Sequence, residues 1–312
     1  MAFGAITLTL PRRTFSVIIR SFYLIRAASA SDTPVYFSQN SRGQIMSTPP
    51  LTAEINNRVG VITLNRPDKL NALNNELLKL GINQLQTFAR DPNIGAIIVT
   101  GAGKAFCAGG DVAVMETGAE FGPSGTPHET QIEILRSWHE FPRLLNTISK
   151  PTIAVVNGVA VGGGLGIALS CDLRFVSETA RFGTAYANVG YDGDFGTTWQ
   201  MTRLLGEAKA KELFFLPDII SAHEALRIGM VNRVFSDNAL LDESTKLAER
   251  IASGPLVSFR YMKENVAHAS TASFKASLDK EAETHIRCSQ TEDHAEGVAA
   301  FLEKRTPVFK GI

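Results

Sequence analysis

Two glycine-rich stretches mark places where backbone groups, rather than side chains, are set up to act. The first, GAGKAFCAGGD (101–111), follows an apolar run ending at Thr100; the second, NGVAVGGGLG (157–166), follows one ending at Val156. Each runs from a buried strand pattern toward a helix pattern, so N–H groups lie exposed at a helix N-terminus and point at whatever sits above them. The alternation of Gly162, Gly164 and Gly166 invites a dinucleotide-binding reading. That motif also needs an acidic residue ~20 positions later. Position 182 is Phe and the nearest acid, Asp172, comes too early, so a nicotinamide site is set aside. Glycines serving tight packing alone are the plainer explanation of either stretch taken singly. The six histidines show no ligand spacing, and Cys107, Cys171 and Cys288 are too scattered for a disulfide framework or a closed zinc site. No metal is expected.

The elements that must position these turns are read from periodicity. Residues 52–57 and 59–64 form two short strand patterns around a turn, closed by Asn65, Arg66, Pro67 and Asp68. Leu73, Leu77, Leu80 and Leu85 fall near helical spacing and predict a helix over 72–90. Apolar runs at 94–100, 153–156 and 173–176, with helices between them, imply alternating strands and helices around a buried sheet. From residue 196 onward the pattern turns helical (208–215, 222–228, 237–253, 255–268, 271–289 and 292–304), with one strand at 230–235. Residues 116–130, rich in Gly, Pro and Thr, read as a mobile loop beside the site. The expected organisation is an N-terminal extension (1–49), an α/β core (50–245) and a helical C-terminal region (246–312).

A chain of 312 residues can bury a sizeable core, which excludes disorder, a disulfide-stapled miniprotein and a collagen-like fibre. Its 31 basic and 31 acidic side chains cancel, leaving no electrostatic footprint for nucleic acid. No stretch approaches the ~20 uninterrupted apolar residues of a membrane span, so neither nucleic acid nor membrane is an expected partner. Residues 1–31 lack Asp and Glu while Arg12, Arg13, Arg20 and Arg26 recur among Ser, Thr and apolar residues. That composition fits a mitochondrial transit peptide better than a signal peptide, because Arg20 interrupts the apolar run. The simpler alternative is translation from Met46. The expected location is the mitochondrial matrix if the extension is genuine, and the cytoplasm otherwise.

Five stretches in colinear order carry a resemblance: VGVITLNRPDKLNALN (59–74), GAGKAFCAGGD (101–111), KPTIAVVNGVAVGGGLGIALSCDLRF (150–175), ISAHEALRIGMVN (220–232) and EDHAEGVAAFLEKRTPVFKG (292–311). Together they resemble the enoyl-CoA hydratase/isomerase, or crotonase, family from about residue 51 to the C-terminus. The resemblance implies an α/β spiral of ββα units, a helical C-terminal trimerisation region, and a homo-oligomer, trimer or dimer of trimers. It also implies an acyl-CoA substrate, with coenzyme A entering as part of that substrate and no separate cofactor. By motif position the thioester carbonyl would sit between the N–H groups of Gly110 and Gly163. Ala72, Lys104, Ala105, Ala108 and Asp111 would meet the coenzyme. Phe309 and Lys310 would meet it too, in a neighbouring subunit's ligand. Gly166, Tyr186 and Tyr191 would border the acyl pocket. Chemistry beside a thioester builds negative charge on the carbonyl oxygen as an enolate, and two preorganised amides stabilise it; losing one donor typically costs on the order of 3 kcal/mol of barrier.

The chain departs from the family where hydration is performed. The hydratases of the family carry two glutamates, one as base toward water and one as acid toward the α-carbon. Here those positions are Gly166 and Tyr186. Ordinary enoyl-CoA hydration is therefore not expected. Asp194, two residues before Gly196 at the head of a helix, resembles the aspartate of the dienoyl-CoA isomerases and the ring-opening phenylacetate-pathway isomerases. One carboxylate is sufficient to take a proton from one carbon and return it to another. Phe195 and Trp199 are its expected apolar walls, and helix capping is the plainer role. Asp192 competes but is expected to face away. Tyr186 is expected to fill the space of the missing glutamate, and His128, His139 and Glu140 to sit on a solvated face. The expected function is an enoyl- or dienoyl-CoA double-bond isomerase with Asp194 as proton shuttle. Its alternatives are a hydratase or hydrolase in which Asp194 orients water, and a non-catalytic acyl-CoA binding protein. A chain beginning at Met46 is expected to be soluble and fully active, since residues before Pro49 lack core periodicity; insolubility of that truncation, or a reporter left diffuse by fusion to residues 1–45, would refute the boundary and the leader respectively.

Overall fold

The computed structural model describes residues 48–312. The Arg-punctuated leader and the Met46 start lie outside the described residues. The chain opens with a hairpin, β1 (Leu51–Asn56) and β2 (Val59–Leu64), and then α1 (Asn75–Arg90). Three related units follow. The first comprises β3 (Ala96–Gly101), β4 (Ala105–Cys107), α2 (Val112–Glu116), α3 (His128–Trp138) and α4 (Glu140–Thr147). The second comprises β5 (Thr152–Val156), β6 (Val159–Val161) and α5 (Gly163–Ser170). The third comprises β7 (Leu173–Ser177), β8 (Arg181–Gly183), α6 (Thr197–Leu205) and α7 (Glu207–Phe215). The chain continues through β9 (Ile220–Ser221), α8 (Ala222–Arg227), β10 (Arg233–Phe235) and α9 (Asp237–Ala252). It ends with α10 (Leu256–Ala269), α11 (Phe274–Ser289) and α12 (Glu292–Glu303).

Each unit places its first long strand in one sheet and its second short strand in another. The sheets run β1-β2-β3-β5-β7-β10 and β4-β6-β8-β9, so the chain advances one strand in each sheet per turn, which is the expected spiral of ββα units. Strands β3, β5 and β7 are parallel and covered on both faces, and for that reason read as continuous apolar runs. Their alternate residues serve different cores. Ile97 and Val99 join Leu77, Leu85 and Phe106 on one side, whereas Ala96 and Ile98 meet Leu240, Ala248 and Ala252 of α9 on the other. An expected domain division at 245/246 thus falls inside a helix that covers the sheet.

Local departures from the periodicity have identifiable causes. Helix α1 starts at residue 75, not 72, because Asn74 caps it by accepting from Leu77 N–H at 2.9 Å and Leu73 is diverted into a bridge with Gly110. The strand expected at 230–235 shortens to Arg233–Phe235, since Met230 and Val231 N–H turn back to the Ala225 carbonyl. The loop expected over 116–130 is trimmed at both ends by α2 and α3. No helix among the described residues is long and apolar enough to cross a membrane.

The C-terminal helices are tied to the core by one polar cluster. Asp172 accepts hydrogen bonds from Thr152 N–H at 2.8 Å and Thr152 Oγ1 at 3.1 Å, and pairs with Lys263 of α10 at 2.8 Å. Helices α10 to α12 leave large apolar side chains uncovered, with Val266 74%, Phe274 81% and Phe301 84% exposed. Asp172→Ala should destabilise the fold by roughly 1–3 kcal/mol, because it leaves the buried Thr152 N–H without an acceptor and removes the counter-charge of a part-buried ammonium. Asp279→Ala, which breaks the exposed pair with Lys275, should cost less than about 0.5 kcal/mol. Urea denaturation of the two variants measures the contrast, and equal costs would show that the cluster does not tie α10 down.

Candidate active site

The two glycine turns meet back to back. A Cβ on Gly109 would lie 2.9 Å from Val161 O and 3.5 Å from Gly163 N, so only a bare backbone permits the approach, and φ at Gly109 is +88°. Cys107 likewise presses on Gly164, where any Cβ would collide with its carbonyl. Cys107 is fully buried, and burial pushes its thiol up to about 12, so it is a packing residue.

The first turn is clamped by the segment that precedes α1. Leu73 N–H donates to Gly109 O at 2.7 Å, and Ala108 N–H to Leu70 O at 3.0 Å. Arg66 donates to Ala72 O at 2.5 Å and pairs with Asp111 at 2.8 Å. Asn71, completely buried with φ +57°, sends its amide to the Ala102 and Ala105 carbonyls at 2.9 and 2.8 Å. Asn157 holds the same loop through Gly103 O at 2.8 Å. Neither Asn71 nor Asn157 was marked by sequence reasoning; their spacing carries no chemical signature.

Among the described residues the Gly110 and Gly163 N–H groups donate to no protein acceptor. Gly163 opens α5, whose first N–H groups the helix leaves without partners and whose dipole is positive there. Both glycines border a cavity of about 750 Å³. Its walls include Leu73, Met115, Phe121, Trp138 and Phe195, a largely apolar lining for a chain entering between the two turns.

Asp194 borders the same cavity. It does not cap α6: the capping position is Gly196, with no side-chain bond. Its Oδ1 instead accepts Phe195 N–H at 2.7 Å and lies 2.5 Å from His139 Nε2. The turn carrying it runs through positive φ, at +139° for Gly193 and +75° for Gly196, which glycine adopts freely, and at +50° for Phe195, where a side chain makes it strained. Tyr186 secures the turn, its hydroxyl donating to Asp194 O at 3.1 Å and sharing a 3.0 Å bond with Thr197 Oγ1. Burial raises the Tyr186 phenol well above its ordinary range, so it stays a donor.

Several expectations change here. His139 stays partly solvated, its side chain 40% exposed, but α3 ends beside Asp194, so the ring also meets that carboxylate and packs edge-on against Phe195 at 5.6 Å. Glu140, half-buried, pairs with Arg143 and does not border the cavity, and His128 is exposed. Trp199 does not wall the carboxylate; it is 47% exposed under the Arg203 guanidinium. Asp192 borders the cavity instead of facing away. Glu120, missed in the non-periodic segment after α2, also lines the cavity and accepts the Tyr191 hydroxyl at 3.1 Å. Gly166 is sealed off, since a Cβ there would lie 2.7 Å from Thr197 Oγ1 and 2.8 Å from Phe195 O.

Of the residues expected to meet coenzyme A, Ala108 and Asp111 border the cavity, whereas Ala72 and Ala105 are buried beside it with carbonyls engaged by Arg66 and Asn71. Lys104 is exposed and does not line the cavity. Phe309 and Lys310 fold onto their own chain's α12: Phe309 lies against Gly297, and Lys310 pairs with Glu292 at 3.0 Å.

A family model described as enoyl-CoA hydratase/isomerase matches residues 54–312. The chain is 37% identical over 254 residues to the short-chain-enoyl-CoA hydratase of Clostridium acetobutylicum, covering 80% of this chain and 92% of that protein. It is 33% identical over 261 residues to the 1,2-epoxyphenylacetyl-CoA isomerase of Escherichia coli K12, covering 84% and 98%. A crystal structure of an enoyl-CoA hydratase from Bacillus anthracis superposes with a TM-score of 0.78 at 32% identity, covering 84% of this chain and all of that one. With matching motifs, matching spiral and an alignment over most of its length, the chain belongs to the enoyl-CoA hydratase/isomerase family.

Proposed function

We propose that this protein is an acyl-CoA isomerase that moves a double bond through an enolate. The Gly110 and Gly163 N–H groups hold the thioester oxygen, and Asp194 takes and returns the proton. The observation that carries this reading is the fixed Asp194 carboxylate on the same cavity as two unpartnered amides, with both hydratase glutamate positions lacking a carboxyl group. Enolate charge would sit at the head of α5, where a buried dipole and N–H groups stabilise it without reorganisation. His139 and the Phe195 N–H fix one carboxylate oxygen and leave the other for the substrate carbon. Similarity to the Escherichia coli isomerase supports this reading.

A second reading is favoured by one contact and by the names of many relatives. An aspartate bonded to an imidazole can orient and deprotonate water, giving hydratase or hydrolase chemistry in the same pocket. Incubation with a panel of enoyl, dienoyl and 3-hydroxyacyl thioesters separates the two readings. A shifted double bond with no gain of water supports the first, and a stable hydroxyl product or free coenzyme A supports the second.

Ala108 and Asp111 remain coenzyme-contact candidates; Lys104, Phe309 and Lys310 require the coenzyme tail, or a second subunit, to reach them. The uncovered apolar side chains of α10 to α12 support a homo-oligomer, trimer or dimer of trimers. The location follows the leader, mitochondrial matrix when it is translated and cytoplasm when translation starts at Met46.

Asp194→Asn keeps size and the Phe195 bond but removes the base, so turnover should fall at least ~100-fold with thioester affinity retained. Near wild-type turnover would transfer the proton to another acid. Gly166→Glu should not create hydratase activity, and even Gly166→Ala should cost about 1–3 kcal/mol in urea denaturation, because its Cβ enters the Phe195–Thr197 turn. Hydration by the glutamate variant would show that the turn yields.

A further inference from the structure

Among the carboxyl groups that border the cavity, Glu120 stands on a different element from either glutamate of the hydratases. Glu120 lies in the connection between α2 and α3. Its Oε2 accepts the Tyr191 hydroxyl at 3.1 Å, and its Oε1 lies 3.4 Å from where a Cβ on Gly110 would stand. The carboxyl therefore lies near Gly110, beyond the closer Met115 methyl group. Asp194 borders the same cavity as the second donor, Gly163, while the ring of its neighbour Phe195 packs 3.1 Å from where a Cβ on Gly163 would stand. Glu120 and Asp194 thus border the one cavity that Gly110 and Gly163 share, and an acyl thioester bound between the two glycines would have both carboxyl groups in its pocket.

We propose that Glu120 is a second catalytic carboxyl group of this site, the proton donor to the acyl chain from the Gly110 side, held in place by the Tyr191 hydroxyl. The inference rests on the isomerase reading above and changes one step of it: the proton delivered to the second carbon comes from Glu120 instead of being returned by Asp194. Asp194 as carboxylate takes a proton from one carbon, and that C–H electron pair becomes the enolate. Glu120 as carboxylic acid then gives its proton to the other carbon: the enolate pair forms the new C–H bond and the Glu120 O–H pair stays on oxygen. The substrate is isomerised with no gain or loss of atoms. Asp194 ends protonated and Glu120 ionised, and each resets by proton exchange with water.

The electrostatics favour this division of labour. Partial burial pushes the Glu120 carboxyl above the usual carboxylate range, against the lowering effect of the Tyr191 bond, and the Asp194 charge raises it further. An ionised carboxylate beside Gly110 would oppose the enolate, whereas the acid form does not. The Tyr191 phenol is itself raised, by burial first, and so stays a donor.

The test uses the full-length protein and a thioester that it isomerises, followed by NMR in deuterated water. Two rates are read, exchange of the substrate proton that Asp194 removes and isomerisation itself, with thioester affinity from calorimetry. Glu120→Gln should bind normally and keep exchange while isomerisation falls at least ~100-fold. Tyr191→Phe, at a half-exposed position, should show the same split to a smaller degree. Glu120→Gln that isomerises within about twofold of wild type, that loses exchange and isomerisation together, or that raises KM alone as a latch on the loop would, overturns the proposal. Asp194→Asn that retains exchange overturns the isomerase reading itself, independently of Glu120.

Discussion

The contact on which the site depends is backbone against backbone, where the turn after β4 meets the turn after β6. Gly109 lies against the Val161 carbonyl and the Gly163 amide, and Gly164 against the Cys107 carbonyl. Sheet pairing between β4 and β6 brings these turns together, and the absence of side chains lets them close. Two N–H groups from separate units of the spiral then face one cavity. Neither unit could build that pair alone, because the first supplies Gly110 from a loop and the second supplies Gly163 from the head of a buried helix. Asn71, Asn157 and the Arg66–Asp111 pair hold the first turn in place, so the donors are positioned before any ligand arrives.

Beside that fixed pair, the carboxylate proposed as the base is carried on a turn of positive φ. Positive φ at Gly193, Phe195 and Gly196 turns the chain so that the Asp194 carboxylate meets the cavity while its carbonyl is tied to Tyr186 and Thr197. The same turn lies over Gly166. A hydratase glutamate at that position and this aspartate turn would occupy the same space, so the exchange of one for the other is a change of packing as much as of chemistry. His139 reaches Asp194 only because α3 ends there, bringing its ring onto Phe195.

Much of the architecture was legible because burial on both faces imposes a strong pattern. Strands β2, β3, β5 and β7 and helices α7 to α12 fall within a few residues of the periodicity read from the chain. The short strands β4, β6, β8 and β9 were not legible. Two or three residues carry no period, and these segments are strands because the spiral stacks one unit on the next. Helix α1 was misjudged at its start for a related reason, since Leu73 continues an apolar stripe locally yet is spent on a bridge to Gly110.

The site divides along the same line. Amino-acid type and order were enough to mark the glycine turns, because a packed core has little use for glycine, whereas Asp194 and the absence of carboxylates at positions 166 and 186 were marked through the family resemblance. What surrounds Asp194 was decided by the tertiary structure. The imidazole of His139 and the carboxylate are 55 residues apart in sequence, and Glu120 and Tyr191 are 71 apart. Contacts at that separation arise from how α3 and the loop before it fold across the mouth of the spiral, and no local propensity encodes where a connection without periodicity will lie.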